Sequence, residues 1–131
     1  MPFLCTAFDY TSLDFLVRQL GVQTIKIASS EVTNHPFLKA IAATGVGMIL
    51  STGASELEEV RAAIKAIRSE GSNELVLLHC VSNYPAEMDQ LNLRCINTLQ
   101  KEFDIPVGYS DHSMGIEAPI IASALGAAVV E

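Results

Sequence analysis

The chain has 131 residues, half of them apolar, and a formal net charge of −7. This length and composition predict one folded domain with enough apolar material for a core. The acidic charge argues against a nucleic-acid partner or an anionic membrane surface, which proteins usually contact through clustered Lys and Arg. No apolar run approaches the roughly 18 residues of a membrane span and no basic-then-apolar leader opens the chain, so we expect a cytoplasmic protein.

The three cysteines, Cys5, Cys80 and Cys95, are an odd number and lack the spacing of a metal site. We expect reduced thiols that pack as small hydrophobic side chains. The sequence therefore predicts no disulfide framework.

Six short apolar runs recur along the chain and predict β-strands. In chain order they are FLCTAF, IKIAS, GMILST, LVLLHCVS, VGYSD and AAVVE. Runs this short and this apolar are typical of strands buried on both faces of a parallel sheet. Five segments with helical spacing lie between them, so strand and helix alternate throughout, as in parallel α/β folds.

Capping patterns indicate where two of the helices begin. Thr11 with Asp14 is predicted to open the first helix, and Gly21 to end it. The third helix, SELEEVRAAIKAIRSEG, has an apolar stripe on one face. Ser55 with Glu58 resembles a capping box at its start.

Prolines mark the start of two other helices. Pro36 in HPFLKAIAATG is predicted to lie in the first turn, where its missing N–H group costs nothing. Asn34 precedes that turn and is expected to cap the helix. Pro119 must also lie in a first turn, so the last helix is predicted to begin near Glu117.

Two architectures fit this alternation of strands and helices. A flavodoxin-like doubly wound sheet would be complete at this length, whereas an eight-stranded (β/α) barrel needs about 250 residues. The positions of polar residues near the strand ends favour the barrel, whose active site is built from many strand ends, whereas an open sheet uses one switch point. These residues are Thr6, Ser29 to Glu31, Ser51 and Thr52, Ser82, Ser110 to His112, and Glu131.

The sequence also lacks a glycine-rich phosphate loop of the Rossmann or Walker kind. We therefore predict an α/β fold of the (β/α)8 TIM-barrel type. It would be present here as a partial barrel of about six parallel strands and five helices, with residues 1–131 forming a single domain.

The stretch VGYSDHSMG places three polar side chains in succession, Ser110, Asp111 and His112. Neighbours on an extended chain point to opposite faces, so these three cannot form a nucleophilic triad. Ser110 and His112 would share one face, and Asp111 would lie on the other. The pair therefore needs partners from elsewhere in the chain.

Lys26 lies inside a predicted strand, whereas the other seven Lys and Arg residues fall on predicted helices. A buried ammonium group requires an anion. That anion is either the carboxylate of Glu31 or a bound substrate phosphate, and the residues alone leave both explanations open.

Five motifs occur in order along the chain: KIASSEVTNHPFL, ILSTG, LLHCVSNYP, GYSDHS and a final Glu131 after an apolar run. Together they resemble the sialic acid (nonulosonate) synthase family over essentially the whole chain. The resemblance implies a (β/α)8 barrel enzyme that condenses phosphoenolpyruvate with an N-acetylated mannosamine-type or 6-deoxy diamino sugar. The implied products are phosphate and a nine-carbon acid. It also implies a divalent metal, Mn²⁺ ahead of Mg²⁺, and a homodimer with a C-terminal antifreeze-like domain.

The resemblance gives the predicted site residues three roles. Substrate-binding residues would be Thr6, Phe8, Lys26, Ser29, Ser51, Ser82, Tyr84 and Ser110. Phe8 and Tyr84 would line the sugar side, and the other members of this set would contact phosphoenolpyruvate. His112 would be a metal ligand. Glu31 would act on water or on sugar hydroxyls, and Glu131 would support the developing tetrahedral centre.

The other two histidines have structural roles in this interpretation. His79 is expected to make a hydrogen bond inside the barrel, and His35 to lie in a loop near its rim. Four positions depart from the pattern common in the family and indicate a legionaminate-like or spore-coat-type member. They are Ala7, Ser30, Ala54 and Ser113.

Family members continue past the matching glutamate to a second metal-binding histidine, and they have earlier strands with another phosphate-binding lysine. The chain is therefore expected to be a fragment of a synthase domain without turnover of its own. Two alternatives stay open. One is another phosphoenolpyruvate-using or metal-dependent barrel lyase or aldolase, and the other is a non-catalytic barrel that binds a sugar or phosphate.

Overall fold

The computed structural model describes residues 3–72 and 74–131, and the chain divides into two compact units. The first unit comprises the described residues up to Leu50 together with Ser55–Leu75, and the second comprises Ser51–Ala54 with Val76–Glu131. Five parallel strands and five α-helices alternate along the chain. Within the described residues, no helix is long and apolar enough to cross a membrane.

The strands and helices have well-defined bounds in chain order. They are β1 Cys5–Thr6, α1 Tyr10–Asp14, β2 Thr24–Ile27, α2 His35–Ala42, β3 Gly47–Ser51, α3 Leu57–Arg68, β4 Leu75–Cys80, α4 Cys95–Phe103, β5 Val107–Ser110 and α5 Glu117–Ala124. A π-helical turn, Phe15–Gln19, continues α1. Single 3₁₀ turns occupy Ser29–Glu31 and Met88–Gln90.

In the first unit, β1 pairs with β2 and β2 pairs with β3, all in parallel. Thr6 lies opposite Lys26, which in turn lies opposite Ile49. Ile25 and Ile27 are fully buried on either side of Lys26 in sequence. Burial of such side chains contributes roughly 1.5–3 kcal/mol each. The apolar run therefore forms a strand buried on both faces, as the sequence predicts.

Helix α1 begins at a different residue from the one predicted. Asp9 caps it in an extended conformation, with its carboxylate accepting bonds from Ser12 N at 2.8 Å and Ser12 Oγ at 2.7 Å. The predicted cap, Thr11, instead lies inside the helix. The Asp9 carboxylate satisfies one main-chain N–H of the first turn, that of Ser12, and is held in place by the Ser12 hydroxyl as a second donor.

The capping box of α3 lies one residue later than predicted. Glu56 and Glu59 bond reciprocally, with Glu56 N–H donating to Glu59 Oε2 at 2.8 Å. The prediction for Ser55 and Glu58 was wrong because two glutamates at the same spacing close the box instead.

Both predictions that rest on proline are confirmed. Pro36 lies in the first turn of α2, and the side chain of Asn34 caps that helix by accepting from Phe37 N at 3.4 Å. Helix α5 begins at Glu117, which puts Pro119 in its first turn. The three cysteines, Cys5, Cys80 and Cys95, are thiols outside any disulfide, as expected.

In the second unit, β4 and β5 pair in parallel, with His79 opposite Tyr109 and Cys80 opposite Ser110. The sixth predicted strand, AAVVE, forms one bridge, between Tyr109 and Val130. The side chain of Val130 is 42% exposed. Four main-chain hydrogen bonds of 2.8–2.9 Å nevertheless join this run to Val107, Tyr109 and Asp111, so it lies alongside β5. In the described residues, five regular strands are therefore present and the sixth predicted run is an irregular neighbour of β5.

Gly108 in β5 is closely surrounded. A Cβ atom there would collide with the carbonyl oxygen of Val129 and lie 2.7 Å from Leu78 Cδ2. The Val129 carbonyl cannot move aside easily, because it accepts a hydrogen bond from Tyr109 N at 2.8 Å. Gly108→Ala is therefore expected to lower the free energy of unfolding by about 1–3 kcal/mol, as overpacking does. Urea denaturation measures this loss.

Gly47→Ala in β3 is the matched control. The nearest atom to its added Cβ is the side-chain hydroxyl oxygen of Thr24, at 3.2 Å, which can rotate away. A loss for Gly47→Ala equal to that for Gly108→Ala would contradict the explanation by the fixed carbonyl.

Candidate active site

Four of the predicted site residues meet at the carboxyl end of β5, in the second unit. Ser110 is buried, and its Oγ donates a hydrogen bond to Glu131 Oε2 at 2.9 Å. The same Oγ lies 3.4 Å from Nε2 of His112, so these two residues share one face of the extended chain. The ring of Tyr84 packs on the imidazole of His112, with centroids 4.1 Å apart. We call Tyr84, Ser110, His112 and Glu131 the β5 cluster.

The main chain orients the imidazole of His112. Its Nδ1 lies 2.8 Å from the carbonyl oxygen of Val81. A carbonyl oxygen only accepts hydrogen bonds, so Nδ1 carries the proton in this contact. In the neutral ring Nε2 then keeps an unprotonated lone pair, on the side of Ser110. This is the state in which a histidine binds a metal ion.

The segment after β4 is bonded to the residues around His112. The N–H group of Ala86 donates to the His112 carbonyl at 2.9 Å. Ala86 also pairs with Ser113 in an isolated parallel bridge. The orientation of His112 therefore depends on the segment after β4 as well as on its own strand.

Asp111 is bonded away from the β5 cluster, as the alternation of an extended chain predicts. Its Oδ1 accepts a hydrogen bond from the Tyr109 hydroxyl at 3.1 Å. Tyr109 is fully buried. Burial raises the pKa of Tyr109, and the neighbouring Asp111 carboxylate raises it further, so the phenol stays protonated as a donor.

The first unit contains the predicted residues Thr6, Phe8, Lys26, Ser29 and Glu31. Lys26 is only 7% exposed, and its Nζ donates to the Ile27 carbonyl at 3.4 Å. Thr6 is its register partner on β1. Ser29 opens the 3₁₀ turn that directly follows β2. Phe8 is 63% exposed, so its ring is open to a ligand.

Glu31 ends the 3₁₀ turn after β2 and is held by two neighbours. Its Oε2 accepts from Asn34 Nδ2 at 2.7 Å, and its Oε1 lies 3.5 Å from Ser30 Oγ. Asn34 therefore caps α2 with its oxygen and orients the Glu31 carboxylate with its nitrogen. The capping role expected of Asn34 is confirmed.

The second unit contains the predicted residues Ser51, which ends a strand, and Ser82, which follows one. Ser51 is the last residue of β3 and 3% exposed, and its hydroxyl has no hydrogen-bond partner among the described residues. Ser82 lies exposed after β4. A buried hydroxyl without a partner costs about 1–3 kcal/mol. Within the described residues, the Ser51 hydroxyl therefore has unused hydrogen-bonding capacity.

Comparison with known proteins decides the family. The model of the NeuB family matches residues 1–131, the whole chain. The chain belongs to the NeuB family. The resemblance to sialic acid synthases that the five motifs indicate is thereby confirmed.

Members of the NeuB family are similar along the whole chain. The N,N'-diacetyllegionaminic acid synthase of Legionella pneumophila is 47% identical, over 100% of this chain and 38% of that protein. A crystal structure of N-acetylneuraminic acid (sialic acid) synthetase from Leptospira borgpetersenii, in complex with citrate, has a TM-score of 0.95 at 40% identity. The spore coat polysaccharide biosynthesis protein spsE of Bacillus subtilis has a TM-score of 0.96 at 39% identity.

These two crystal structures are covered to 45% and 37% of their length, whereas this chain is covered completely. The chain thus spans less than half the length of the relatives it matches. The likeness confirms the α/β fold of the TIM-barrel type, and the flavodoxin-like alternative was wrong.

The donor atoms of the β5 cluster suit a divalent metal in part. Within residues 3–72 and 74–131, no group of three or more His, Cys, Asp or Glu side chains is arranged to hold a metal ion. His112 Nε2 and the Glu131 carboxylate are nevertheless joined through Ser110. Imidazole nitrogen and carboxylate oxygen are donors that suit ions such as Mn²⁺. In the described residues the cluster therefore offers one imidazole nitrogen, beside a carboxylate that contacts Ser110, and this is fewer donors than such an ion needs.

Sequence reasoning missed the groups that orient His112. Val81 acts through its carbonyl and Ala86 through its N–H group, so neither leaves a side-chain signal. The side chains of Asp111 and Ser113, in contrast, form a sequence pattern from which their hydrogen bond could have been predicted. Asp with a polar residue two positions later is typical of a turn in which the carboxylate accepts from the later amide.

His79 has the structural role expected of it. It is buried, and its Nε2 lies 2.7 Å from the Leu91 carbonyl. Its ring stacks with that of Tyr109, with centroids 5.9 Å apart. Burial lowers the pKa of His79, and the bond to Leu91 opposes this only in part. His79 therefore stays neutral where an exposed histidine would gain a proton.

The lowered pKa of His79 predicts a loss of stability in mild acid. As the pH falls below the ordinary value of 6.5, the unfolded chain takes up the proton before the folded protein does. The free energy of unfolding should be fully retained above about pH 6.5 and should fall as the pH drops towards the lower folded-state pKa. Chemical denaturation at a series of pH values measures this. His79→Gln, which does not titrate, should flatten that part of the profile.

The His35→Gln variant is the control, because His35 belongs to α2 in the first unit, whereas His79 and its partner Leu91 belong to the second. The assignment to His79 would be contradicted if the free energy of unfolding of His79→Gln fell with pH as steeply as that of the wild type. It would also be contradicted if His35→Gln flattened this pH dependence equally.

Proposed function

We propose that the protein condenses phosphoenolpyruvate with an N-acetylated mannosamine-type or 6-deoxy diamino sugar, giving a sialic acid-like nine-carbon acid and phosphate. The observation that carries the proposal is the β5 cluster, where His112 Nε2 and the Glu131 carboxylate both approach the Ser110 hydroxyl. The proposal is supported by the family and by similar proteins named as legionaminic and sialic acid synthases.

The proposed reaction needs no oxidant or reductant. C3 of phosphoenolpyruvate attacks the aldehyde carbon of the sugar, and a carbon–carbon bond forms as the enol double bond breaks. The aldehyde oxygen gains a proton and becomes a hydroxyl. Water adds to C2, losing a proton, and phosphate then leaves the tetrahedral carbon, which becomes the ketone. The protein's task is to orient the two substrates and to stabilise the developing charges.

In the first unit, Lys26 would bind an anionic group of phosphoenolpyruvate. Its ammonium group is almost fully buried, where a charge-assisted hydrogen bond is stronger than in water. Thr6, its register partner, and Ser29, after the end of β2, would add hydroxyl donors. Phe8 would contact the sugar. Glu31, oriented by Asn34, would act on water or on sugar hydroxyls.

In the second unit, hydroxyl groups would contribute further contacts to phosphoenolpyruvate. The buried hydroxyl of Ser51 lacks a protein partner in the described part of the chain and would gain one from the ligand. Ser82, exposed after β4, and Ser110 would also donate. The exposed ring of Tyr84, 78% accessible beside His112, would line the sugar side.

His112 would hold a divalent metal, Mn²⁺ ahead of Mg²⁺, through the Nε2 lone pair that the bond to Val81 leaves available. When bound, such a metal supplies Lewis-acid polarisation of the sugar aldehyde. Glu131, which accepts from Ser110, would support the tetrahedral centre at C2. We further propose a cytoplasmic homodimer without a nucleic-acid or membrane partner, in keeping with the net charge of −7.

Phosphate release from phosphoenolpyruvate by the full-length protein tests the function. Release should require Mn²⁺ and either N-acetylmannosamine or its 6-deoxy diamino analogue. His112→Ala should lower kcat/KM by about 100-fold or more, since even groups that only orient a metal ligand cost 10–100-fold. Retained activity in a folded His112→Ala variant would exclude the metal role, and release only with an unmodified sugar phosphate would favour a different barrel aldolase.

Lys26→Met tests the anion-binding role. The thioether fills a similar volume without the charge, so the KM for phosphoenolpyruvate should rise by about tenfold or more, as expected for the loss of a charge-assisted hydrogen bond. Initial rates over a range of phosphoenolpyruvate concentrations measure this. Lys65→Met, on the exposed face of α3, is the matched control and should leave KM unchanged. Equal effects of the two variants would contradict a specific role for Lys26.

A further inference from the structure

Asp111 stands directly before His112, but its carboxylate bonds to other residues. Its Oδ1 accepts from Ser113 N at 2.9 Å, from Ser113 Oγ at 2.7 Å and from the Tyr109 hydroxyl at 3.1 Å. Three donors use the full acceptor capacity of one carboxylate oxygen, which has about two lone-pair sites. This engagement is typical of a carboxylate that fixes local structure.

The bonds from Asp111 to Ser113 span the main chain of His112. A carboxylate that accepts from the N–H group two residues later closes a tight turn and restricts the residue in the middle. The turn is fastened on both sides, since Asp111 N donates to the Glu131 carbonyl at 2.9 Å and Ala86 N donates to the His112 carbonyl at 2.9 Å. The backbone of His112 is therefore held at three points.

Tyr109 ties this turn to the core of the second unit. Its side chain is fully buried in β5, and its main chain is bonded to Val129 and Glu131 at 2.8 and 2.9 Å. A fully buried ring has little freedom to move, so its hydroxyl gives the Asp111 carboxylate a fixed reference point. Movement of Asp111 would break the contact with Tyr109 as well as both contacts with Ser113.

We propose that Asp111 is a positioning residue, which holds Nε2 of His112 in the direction needed for metal binding through its bonds to Tyr109 and Ser113. Asp111 acts by accepting hydrogen bonds at one oxygen, and its negative charge is not required. The metal-binding part of this inference rests on the proposed function, whereas the orientation of the imidazole does not.

Comparison of Asp111→Asn with Asp111→Ala separates hydrogen-bond acceptance from charge. The amide oxygen of Asn can accept the same three bonds, so Asp111→Asn should keep the Kd for Mn²⁺ within about threefold. Asp111→Ala loses all three and should weaken Mn²⁺ binding by about 10–100-fold, the range seen when an orienting partner of a metal ligand is removed. Free Mn²⁺ measured by electron paramagnetic resonance gives the Kd of each full-length variant.

A second readout needs neither metal nor turnover. The ¹⁵N chemical shifts of His112 in the metal-free protein distinguish a proton on Nδ1 from one on Nε2. The wild type and Asp111→Asn should show the proton on Nδ1, as the bond to Val81 requires, and Asp111→Ala should show a mixture of both tautomers. Asp89→Ala, an exposed position outside these contacts, is the matched control and should match the wild type in both readouts.

Two outcomes would overturn the proposal. One is an Asp111→Asn variant as impaired as Asp111→Ala, which would show that charge is needed. The other is an Asp111→Ala variant with unchanged tautomer and Kd. If Asp111→Ala does not fold, Tyr109→Phe and Ser113→Ala replace it, since each removes one hydroxyl donor to Asp111. A His112 tautomer that is unchanged in both of these variants would also overturn the proposal. Failure of the wild type to bind Mn²⁺ would count against the proposed function, and the tautomer would still test the positioning role.

Discussion

The hydrogen bond between His112 Nδ1 and the Val81 carbonyl determines what the β5 cluster can do. A histidine without such a partner distributes its proton between two nitrogens and samples several ring orientations. Here the acceptor belongs to the main chain just after β4, so the strand pairing that positions Val81 also selects the tautomer. The lone pair on Nε2 is a consequence of backbone geometry, and it exists before any ligand binds.

The alternation of side chains at the end of β5 separates two kinds of polar group. Ser110 contacts both the Glu131 carboxylate and His112 Nε2 on one face, whereas Tyr109 and Asp111 bond to each other away from it. The second group bonds within the turn, and under the proposed function the first would contact a ligand. Successive side chains of an extended chain point to opposite faces. One short segment can therefore place the candidate site residues on one face and the residues that stabilise the turn on the other.

Much of the fold could be predicted from the sequence because the deciding interactions are local. Pro36 and Pro119 can occupy few positions in a helix, and the apolar runs are too short for buried helices. The wrong predictions of helix caps also have local causes. Asp9 and Thr11 are both suitable caps, and only the extended backbone at Asp9 decides between them.

The site was less predictable, because part of it consists of backbone atoms. The residue types at the strand ends indicated Ser110, His112 and Glu131, and the structure brings these three together. Val81 and Ala86 contribute a carbonyl and an N–H group whose placement depends on the pairing of β4 with β5. No pattern of side chains encodes that placement.

The hydroxyl of Ser110 contacts both His112 Nε2 and the Glu131 carboxylate. A serine hydroxyl has one proton to donate. In the structure it goes to Glu131 at 2.9 Å, whereas the contact with His112 Nε2 is longer, at 3.4 Å. A phosphate oxygen that accepted from Ser110 would have to replace Glu131 as the acceptor, and the carboxylate would then lose its hydrogen bond from Ser110. Under the proposed function, binding of an anionic substrate at Ser110 would therefore change the contacts of Glu131 through that single proton.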